Sequence, residues 1–437
     1  MTATGAVWRN WARTEQARPL RVERPRTTAA LQRAVRAAAG SGIPIKAVGS
    51  GHSFTGIAVA TGVQLALDDF SGLVGTPSGD GHVTFAAGTR LHEIPRLLAP
   101  YGLAMTNLGD IDRQSISGAI STGTHGTGSR FGGLSGQVMG VTLVTADGEL
   151  LRIDAQNNPE LLPAVSLGLG ALGILAEVTI ACVPRFLLEA VEQPEPLADV
   201  LDTVAERASS ADHFEFYWFP HTGTALTKTN TRLPGTAARK PQPVVSRWID
   251  DTLLANGFYR MSCLAGTVVP PVIPAVNRLA EKLTGNRQFT DHSHQVFTAR
   301  RTVRFREMEY AVPAEHVPAI IREIDALISR KRWRISFPVE VRFAAADDLW
   351  LSTAFGRETG YIAVHRYHHE TPTAYFAAVE AIFREFGGRP HWGKMHTQDA
   401  ASLAGLYPHF DDFVTLRERL DPRRLFANPY LDRVLGS

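Results

Sequence analysis

Alternating apolar and polar positions in the first half of the chain predict short strands interleaved with helices. Apolar, often β-branched segments indicate strands at 43–48, 63–67, 83–87 and 138–145. Asp147 and Gly148 then form a turn signal before a further strand at 150–153, which predicts a hairpin. Residues 168–183 pass from a glycine-rich loop into a strand. Apolar residues at helical spacing predict helices from Thr27 or Thr28 to about 39 and at 91–101.

The second half predicts a different arrangement. Strands are expected at 214–219, 302–310, 335–343 and 361–367, and helices at 200–208, 314–331 and 374–386, with a Pro- and Gly-bearing loop at 233–244. This is the composition of a mixed α/β unit with an antiparallel sheet. We therefore predict an α+β protein with a cofactor domain at 1–184 and a substrate domain at 185–437.

Bulk properties agree with a two-domain globular protein. The chain has 437 residues, which exceeds the size of one core, and 44% hydrophobic and 20% charged residues are ordinary values. A net charge of +2 gives no reason to expect nucleic-acid binding. No transmembrane segment and no secretory signal are predicted. Cys182 and Cys263 lie in apolar settings and are expected to be reduced, which suits the cytoplasm, with peripheral membrane association left open.

A histidine inside a small-residue loop is the first candidate for chemistry. Gly49-Ser50-Gly51-His52-Ser53-Phe54 follows the strand predicted at 43–48. Glycines allow close approach to a ligand, and successive N–H groups in such a turn can bind a diphosphate. Taken alone, this loop is also consistent with an ordinary tight turn in which the histidine makes its hydrogen bonds within the protein.

A second loop favours a cofactor site. Residues 107–128 are rich in Gly, Ser and Thr and contain His125. Between 115 and 128 the only other bulky side chains are those of Ile116 and Ile120. A flexible linker would not place single apolar residues in this way and then pass into a strand. A nicotinamide cofactor is disfavoured, because no third glycine opens a helix after Gly51 as a Rossmann fingerprint requires.

Together with the late His391-Trp392-Gly393-Lys394, these two loops resemble the vanillyl-alcohol-oxidase superfamily of FAD enzymes. Within that superfamily the chain is similar to the aldonolactone oxidoreductases, which act on gulono-, galactono- or arabinonolactone, and to the alditol oxidases. The resemblance runs from about Trp8 to Leu435. It implies a two-domain fold with a PCMH-type FAD-binding domain, and a C-terminal segment at 390–437 that returns to the flavin.

The resemblance also implies which residues bind FAD. His52 matches the histidine that is joined covalently to the flavin's 8α-methyl carbon, a bond that should raise the redox potential. Further cofactor contacts are expected from Gly49, Ser50, Gly51, Ser53, Gly109, Asp110, Ser115, Gly118, Thr122, Gly123, His125, Ile174 and His391. For His125, a core histidine is the alternative interpretation.

Catalytic side chains are expected in the second half. Glu340 and Arg342 lie two apart on a predicted strand and so share a face, and His365 and Tyr367 repeat that spacing. By the resemblance, Glu340, Arg342, His365 and Lys394 line the sugar pocket. Tyr367 departs from the alditol oxidases, which have a smaller hydroxyl residue there, and its phenol should shorten the pocket. A solvated same-face ion pair is the alternative for Glu340 and Arg342.

These features predict an FAD-dependent oxidoreductase that takes a hydride from a secondary hydroxyl of an aldono-1,4-lactone. Segments 110–114 and 130–134 favour a gulono- or arabinonolactone enzyme, giving ascorbate or a similar product, over an alditol oxidase that makes hydrogen peroxide. The electron acceptor is oxygen or a cytochrome- or quinone-type carrier, and Gly109 matches a small residue that can admit oxygen to the flavin.

Two other classes of protein are alternatives. One is a metal hydrolase using His365, His368, His369, His391 and His396, but their spacing is unfavourable and no cysteine joins them, so no metal is expected. The other is a non-catalytic flavin-storage protein, which a lactone would not reduce.

Overall fold

A three-stranded parallel sheet near the start of the chain contains the strand that leads into the first glycine loop. The structure, a computed structural model, describes residues 6–243, 270–283, 285–299 and 303–437. After a small antiparallel pair, β1 (Trp8–Arg9) and β2 (Gln16–Ala17), the sheet has the order β3 (Arg21–Glu23), β5 (Val63–Ala66), β4 (Ile45–Val48). Strand β4 ends directly before Gly49, so it fixes the start of that loop.

Helix α1 (Thr28–Ser41) connects β3 to β4 and confirms the predicted helix. The Thr27 hydroxyl accepts a hydrogen bond from the Ala30 N–H at 3.2 Å, which satisfies one of the free donors of the first turn. The helix ends at Gly42, whose φ of 63° is accessible to glycine without strain. Its buried face consists of Leu31, Val35 and neighbouring alanines.

A second, antiparallel sheet completes the first part of the chain. Its strands are β6 (His82–Ala86), β7 (Leu103–Met105), β8 (Val138–Val144), β9 (Leu150–Asp154) and β10 (Ile174–Pro184). Strand β10 pairs with β6, β7 and β8, and β8 pairs with β9 through the predicted hairpin at Asp147 and Gly148. Three short helices flank the sheet: α2 (Ile94–Leu98), α3 (Ile116–Ser121) and α4 (Leu162–Val165).

The helix predicted at 91–101 is helical over its whole length but is divided into three short segments. The structure has three short turns there, a 3₁₀ turn at Leu91–Glu93, then α2, then a 3₁₀ turn at Ala99–Tyr101. Pro95 and Pro100 explain the break, because proline lacks the N–H that a continuous helix needs and its ring crowds the preceding turn.

An eight-stranded antiparallel sheet dominates the second part of the chain. Its strands are β11 (Phe186–Pro196), β12 (His213–Trp218), β13 (Thr224–Pro234), β14 (Arg287–His292), β15 (Phe305–Pro313), β16 (Val339–Ala344), β17 (Thr359–Tyr367) and β18 (Arg389–Pro390). Their order in the sheet is β14-β11-β13-β12-β16-β17-β15-β18. The predicted strands at 214–219, 302–310, 335–343 and 361–367 correspond to β12, β15, β16 and β17, although residue 302 lies outside the described residues.

One face of this sheet is apolar and the other is polar. Helices α5 (Leu197–Ser210), α8 (Val317–Lys331) and α9 (Thr373–Glu385) cover the apolar face, where Val339, Val341 and Met308 are buried with Ile320 and Phe383. Because strand residues alternate between faces, the residues next to these in sequence, including Glu307, Glu309, Glu340 and Arg342, project to the opposite side. That polar face forms a wall of the site described below.

The sequence did not indicate four strands of the large sheet: the two-residue β18 and the longer β11, β13 and β14. The loop expected at 233–244 begins two residues later because Leu233 and Pro234 still belong to β13; residue 244 lies outside the described part. The three longer strands carry Glu, Thr, Asn, Lys or Arg at many positions and lack a clean apolar face. They are defined by backbone pairing, such as Ala190 opposite Asn230.

The remaining helices are α6 (Ile273–Leu283), α7 (Ser293–Phe297), α10 (Ala400–Ala404), α11 (Phe410–Leu420) and α12 (Pro429–Leu435). Residues of α10–α12 join the hydrophobic core of the first sheets, and the Asn428 amide donates to the carbonyls of Gly56, Ile57 and Val59. The C-terminal segment therefore packs on the first part of the chain. Only Arg185 separates β10 from β11 in the large sheet, and the domain division at 184 stays a prediction.

Two predictions concern the whole chain. Cys182 is buried and free, and Cys263 lies outside the described residues. Among the helices that the structure describes, none is long and apolar enough to cross a membrane.

Candidate active site

The two glycine loops predicted to bind a cofactor meet in the structure. A Cβ atom on Gly49 would overlap the hydroxyl of Ser115, which caps α3 by accepting from the Gly118 N–H at 3.3 Å. A cavity of about 100 Å³ lies between the loops. Its lining includes nine predicted cofactor residues: Gly49, Ser50, Gly51, His52, Ser53, Ser115, Gly118, Thr122 and Ile174.

Gly123 lines neither cavity described here. Its φ is 75°, and a Cβ there would lie 3.1 Å from Leu167 Cδ1. Glycine is therefore required for the shape of the loop, and the structure gives no contact between Gly123 and the cavity.

Lys46 also lines the smaller cavity and was not predicted. Its ammonium donates to the carbonyls of Gly170 at 3.0 Å and Phe426 at 3.1 Å. Burial lowers the pKa of Lys46 to about 7, and nearby Arg417 adds to that effect. The sequence could have indicated this residue: a lysine inside an apolar strand is expected to have polar partners, because a lysine is rarely fully buried without them.

A larger cavity of about 1270 Å³ adjoins the first and shares His52, Ser53, Gln114 and Thr122 with it. It lies against the polar face of the large sheet. The predicted residues that line it are His52, Ser53, Gly109, Asp110, Thr122, His125, Glu340, Arg342, His365, His391 and Lys394. Residues far apart in the sequence thus reach one space.

His52 stands where the two cavities join. Its ring stacks on Trp11 with centroids 5.7 Å apart, and its buried Nδ1 has no hydrogen-bond partner among the described residues. Burial, together with the positive charges of Arg90 and Lys394, lowers the pKa of His52 to about 4. The imidazole is therefore neutral at neutral pH, with a buried nitrogen left for another group.

Arg342 lies between two carboxylates. Its Nε donates to Glu215 at 3.0 Å and its guanidinium also pairs with Glu340, which accepts from the Tyr217 hydroxyl at 3.2 Å. Strand pairing places Glu215 opposite Arg342 and Tyr217 opposite Glu340. Burial alone would lower the pKa of Arg342, but the carboxylates around it raise it well above its usual value. Burial raises the pKa of Glu340, and Arg342 opposes that shift.

Glu340 and Arg342 are thus a buried pair on the wall of the cavity, which answers the alternative of a solvated pair. Their side chains are each 11% exposed. Glu215, which completes the arrangement, was not predicted. Its signal was present in His213-Phe-Glu-Phe-Tyr-Trp218, where one acid interrupts an aromatic strand.

Lys394 and His365 share a carboxylate that was also not predicted. Lys394 Nζ lies 2.5 Å from Glu307 Oε2, and His365 Nε2 lies 3.6 Å from Glu307 Oε1. The Nδ1 of His365 faces the Pro338 carbonyl at 3.0 Å. Phe54 lies beneath the ammonium, 5.2 Å from it, so the first glycine loop also contacts this group.

His125 pairs with a third buried carboxylate on the large sheet. Its Nε2 lies 3.2 Å from Glu309 Oε1, and its ring stacks on Tyr361 with centroids 3.5 Å apart. His391 lies beside them, with its ring centroid 5.7 Å from that of His125. Ligand atoms of His125, Glu309 and His391 lie within 4.8 Å of one another, the one such cluster in the part of the chain that the structure describes.

The histidines weighed as metal ligands do not converge as a group. Only His391 belongs to that cluster, whereas His396 bonds the Tyr430 hydroxyl at 2.9 Å and His368 faces the Arg304 carbonyl at 3.1 Å. The direct contact between His125 and Glu309 has the geometry of a hydrogen bond between an imidazole and a carboxylate, and it needs no metal between the two side chains.

Tyr367 is placed away from the cavity. It is buried in a cluster with Phe54, Phe305 and Phe337 and is not among the residues that line the space beside His365. The structure therefore gives no support to a phenol that shortens the pocket. Tyr367 instead packs in the layer that supports Phe54 and His365.

The residues present fit a flavin dinucleotide. The unpartnered Nδ1 of His52, the narrow passage at Gly49 and Ser115, and the adjoining wide cavity match a ligand with a thin diphosphate part and a broad ring system. The wide cavity then leaves charged groups beside the ring, where a second reactant can bind.

Comparison with known proteins agrees with this geometry. Residues 178–434 match the D-arabinono-1,4-lactone oxidase family, and residues 19–154 match the FAD binding domain family. The chain is 41% identical to L-gulono-1,4-lactone dehydrogenase of Mycobacterium tuberculosis, covering 98% of this chain and 99% of that protein. It is 31% identical to L-gulonolactone oxidase of Bos taurus, covering 98% of each.

A more distant relative is D-arabinono-1,4-lactone oxidase of Eremothecium gossypii, at 28% identity over 94% of this chain and 87% of that protein. Among solved structures, a solvent-stable cholesterol oxidase matches with a TM-score of 0.80 at 20% identity, covering 100% of this chain and 98% of that one. Cholesterol oxidase from B. sterolicum matches with a TM-score of 0.79 at 18% identity, covering 99% and 97%. These structures share the fold.

Proposed function

The chain belongs to the D-arabinono-1,4-lactone oxidase family of FAD-dependent enzymes, and from that membership we propose that it oxidises a secondary hydroxyl of an aldono-1,4-lactone. The product is the corresponding ketone, which for a gulono- or arabinonolactone is ascorbate or an ascorbate-like compound. The observation that carries this proposal is the convergence of Glu340, Arg342, His365 and Lys394 on the cavity that also contains His52.

As the substrate hydroxyl loses its proton, two cations and one carboxylate of the site act on it. Arg342 and Lys394 hold the hydroxyl oxygen and stabilise the negative charge that develops on it, an effect often worth about 3 kcal/mol. Glu340 fixes Arg342 or accepts the proton; its raised pKa makes it a better base than an ordinary carboxylate. His365 lines the same pocket, and its Nδ1 is fixed by the Pro338 carbonyl.

FAD, when bound, supplies the acceptor for the hydride. We assign its binding to residues 1–184, with the diphosphate between the loops at Gly49 to Ser53 and Ser115 to Thr122. Substrate binding is assigned to residues 185–437. The large cavity, about 1270 Å³, exceeds the roughly 300–1,000 Å³ of a typical ligand pocket, so a ring system and a sugar lactone fit side by side.

We also propose that His52 is bonded to the flavin's 8α carbon. The neutral, unpartnered imidazole of His52 supports this role. The bond replaces a C–H bond of the flavin methyl group and an N–H bond of the imidazole by one C–N bond. The two electrons and two protons released pass to the electron acceptor that the enzyme uses in turnover, which we take to be oxygen or a cytochrome- or quinone-type carrier.

Anaerobic reduction tests the activity. The purified FAD-loaded protein is mixed with L-gulono-1,4-lactone, D-arabinono-1,4-lactone, xylitol or sorbitol under nitrogen, and the visible flavin absorbance is followed. We expect a lactone to bleach it, and oxygen, cytochrome c or a dye to restore it. Bleaching by the polyols alone would favour an alditol oxidase, and no bleaching by any of them would favour a storage protein.

A variant of Lys394 tests the role of the cation. Lys394→Met should slow flavin reduction by about 10²- to 10³-fold, because one of the groups that stabilise the developing charge is lost. The flavin should remain bound, since Lys394 does not line the smaller cavity. Near-normal reduction of this variant in stopped flow would remove Lys394 from the mechanism.

A further inference from the structure

Glu307 contacts two side chains of the site at once, those of Lys394 and His365. One carboxylate oxygen faces Lys394 at 2.5 Å and the other faces His365 at 3.6 Å. The side chain is 6% exposed, so this contact is shielded from water. A buried carboxylate costs free energy unless it is paired, and here both oxygens have partners.

The backbone brings these groups together independently of the side chains. Strand pairing places Glu307 of β15 opposite His365 of β17. The turn that carries Lys394 is attached to β15 at both ends, because the His391 N–H donates to the Glu309 carbonyl at 3.0 Å and the Met395 N–H donates to the Glu307 carbonyl at 2.9 Å. Glu307 therefore bonds this turn through its backbone and its side chain.

The charge on Lys394 depends on its neighbours. The titratable groups that act on it are Glu307 and Glu309 of β15, Glu340 of β16, His391 of its own turn and His52 of the glycine loop. Burial alone would lower the pKa of Lys394, but the carboxylates, Glu307 first, raise it above its usual value. Burial would raise the pKa of Glu307, yet Lys394 and His365 lower it to about 2.

We propose that Glu307 is a positioning residue for the reaction, which fixes the direction of the Lys394 ammonium and the His365 ring and keeps Lys394 charged beside the substrate oxygen. This inference rests on the proposed role of Lys394. Glu215 has a parallel place, since it bonds Arg342 as Glu307 bonds Lys394. Lys394 and Arg342 thus each pair with a buried carboxylate other than Glu340.

The first test measures the charge of Lys394 directly. The chain contains six lysines, so the NMR spectrum of the FAD-loaded protein labelled with [ε-¹³C]lysine has few signals. The signal that is missing from the spectrum of Lys394→Met is that of Lys394. In the wild type that signal should stay at its charged position up to about pH 10. In Glu307→Gln it should move toward the neutral position within this range, because burial is no longer opposed by the nearest carboxylate.

Glu195→Gln is a matched control. Glu195 is also a paired glutamate of the large sheet, 2.6 Å from Arg207, but it does not line the cavity. This variant should leave the Lys394 titration and the rate of flavin reduction unchanged. Glu307→Asp keeps the charge and should preserve the Lys394 titration; it also provides a folded protein for the test if Glu307→Gln does not accumulate.

The second test asks whether Glu307 acts through Lys394. Glu307→Gln should slow anaerobic flavin reduction by lactone about 100-fold, as expected for a displaced catalytic group. In a Lys394→Met background the same change should slow reduction much less, because only the contact of Glu307 with His365 is left to lose. Equal slowing in both backgrounds, or an unchanged Lys394 titration, would overturn the proposal. If lactones do not reduce the wild type, the proposed activity fails, whereas the titration still decides whether Glu307 controls Lys394.

Discussion

His125 Nε2 lies 3.2 Å from Glu309 Oε1, and both side chains are almost fully buried. His125 comes from the second glycine loop, whereas Glu309 comes from β15 of the large sheet. The pair therefore joins the part of the chain assigned to FAD to the part assigned to substrate. Stacking of His125 on Tyr361 of β17 adds a second contact across the same junction.

Removing the charge of Glu309 should loosen this junction. Glu309→Gln replaces a charge-assisted hydrogen bond by a weaker one in a buried site, and we expect a loss of about 1–3 kcal/mol in the free energy of unfolding. Urea denaturation of the FAD-loaded protein measures this loss. Glu149→Gln, which breaks an exposed pair with Arg36, should change it by less than about 0.5 kcal/mol. Equal losses in the two variants would contradict a special role for the buried pair.

A flavin bonded to His52 should survive unfolding. After acid precipitation, the wild-type protein should keep its yellow colour in the pellet and its mass should include FAD. His52→Ala should release the dinucleotide, because no other described residue offers an unpartnered neutral imidazole nitrogen at the junction of the cavities. Colour lost from the wild type on precipitation would show a noncovalent cofactor.

The sequence was sufficient to predict site residues that are identified by their immediate neighbours in the chain. The glycine loop at His52 follows a strand of branched residues, and the spacing of Glu340 and Arg342 fixes them on one face in any strand. Both groups line the cavity. The strands around them were predicted because their other face is apolar, as at Val339 and Val341.

The carboxylates behind the cations could not be assigned in the same way. Glu307 meets Lys394 across 87 residues of sequence, and Glu215 meets Arg342 across 127, through strand register that a single sequence does not reveal. An acid inside an apolar strand was the available signal, as in Phe305-Arg-Glu-Met-Glu-Tyr310. For Tyr367 the sequence predicted a contact with the pocket that the structure does not have. Alternation along the strand places it on the same face as His365, but the aromatic cluster around it separates it from the cavity.

Acid should destabilise the protein partly through His213. Its Nδ1 donates to the Thr127 carbonyl at 2.7 Å and its Nε2 accepts from Arg232 at 3.1 Å, so the ring is held neutral. Burial lowers the pKa of His213 to about 4. Between its unfolded pKa of about 6.5 and this value the unfolded chain binds a proton that the folded chain does not, so stability falls as pH falls.

The size of that effect follows from the same linkage. At pH 5 the wild type should have lost about 2 kcal/mol through His213 relative to pH 7. His213→Gln removes the titrating group, so its free energy of unfolding should fall by about that much less between the two pH values. Urea denaturation at pH 7 and pH 5 gives both differences. Parallel losses in wild type and variant would mean that His213 titrates alike in the folded and unfolded states.

Gly109 has a packing requirement as well as its predicted role in oxygen access. It lines the large cavity, and a Cβ there would lie 2.9 Å from the His125 carbonyl oxygen and 3.2 Å from Thr124 Cγ2. Gly109→Ala should therefore shift the loop that carries His125 and cost about 1–3 kcal/mol of stability. Gly132→Ala, where a Cβ would meet no atom within 4 Å, should be close to neutral.

Kinetics separates the two reasons for a glycine at position 109. If the side chain closes a path for oxygen, Gly109→Ala should slow reoxidation of the reduced flavin by oxygen more than reduction by lactone, and reoxidation by a dye should change less. If only packing matters, the loop shift should affect reduction and both reoxidations together, because His125 and Glu309 move with it. Stopped-flow measurement of the three half-reactions, with Gly132→Ala as the reference, distinguishes these outcomes.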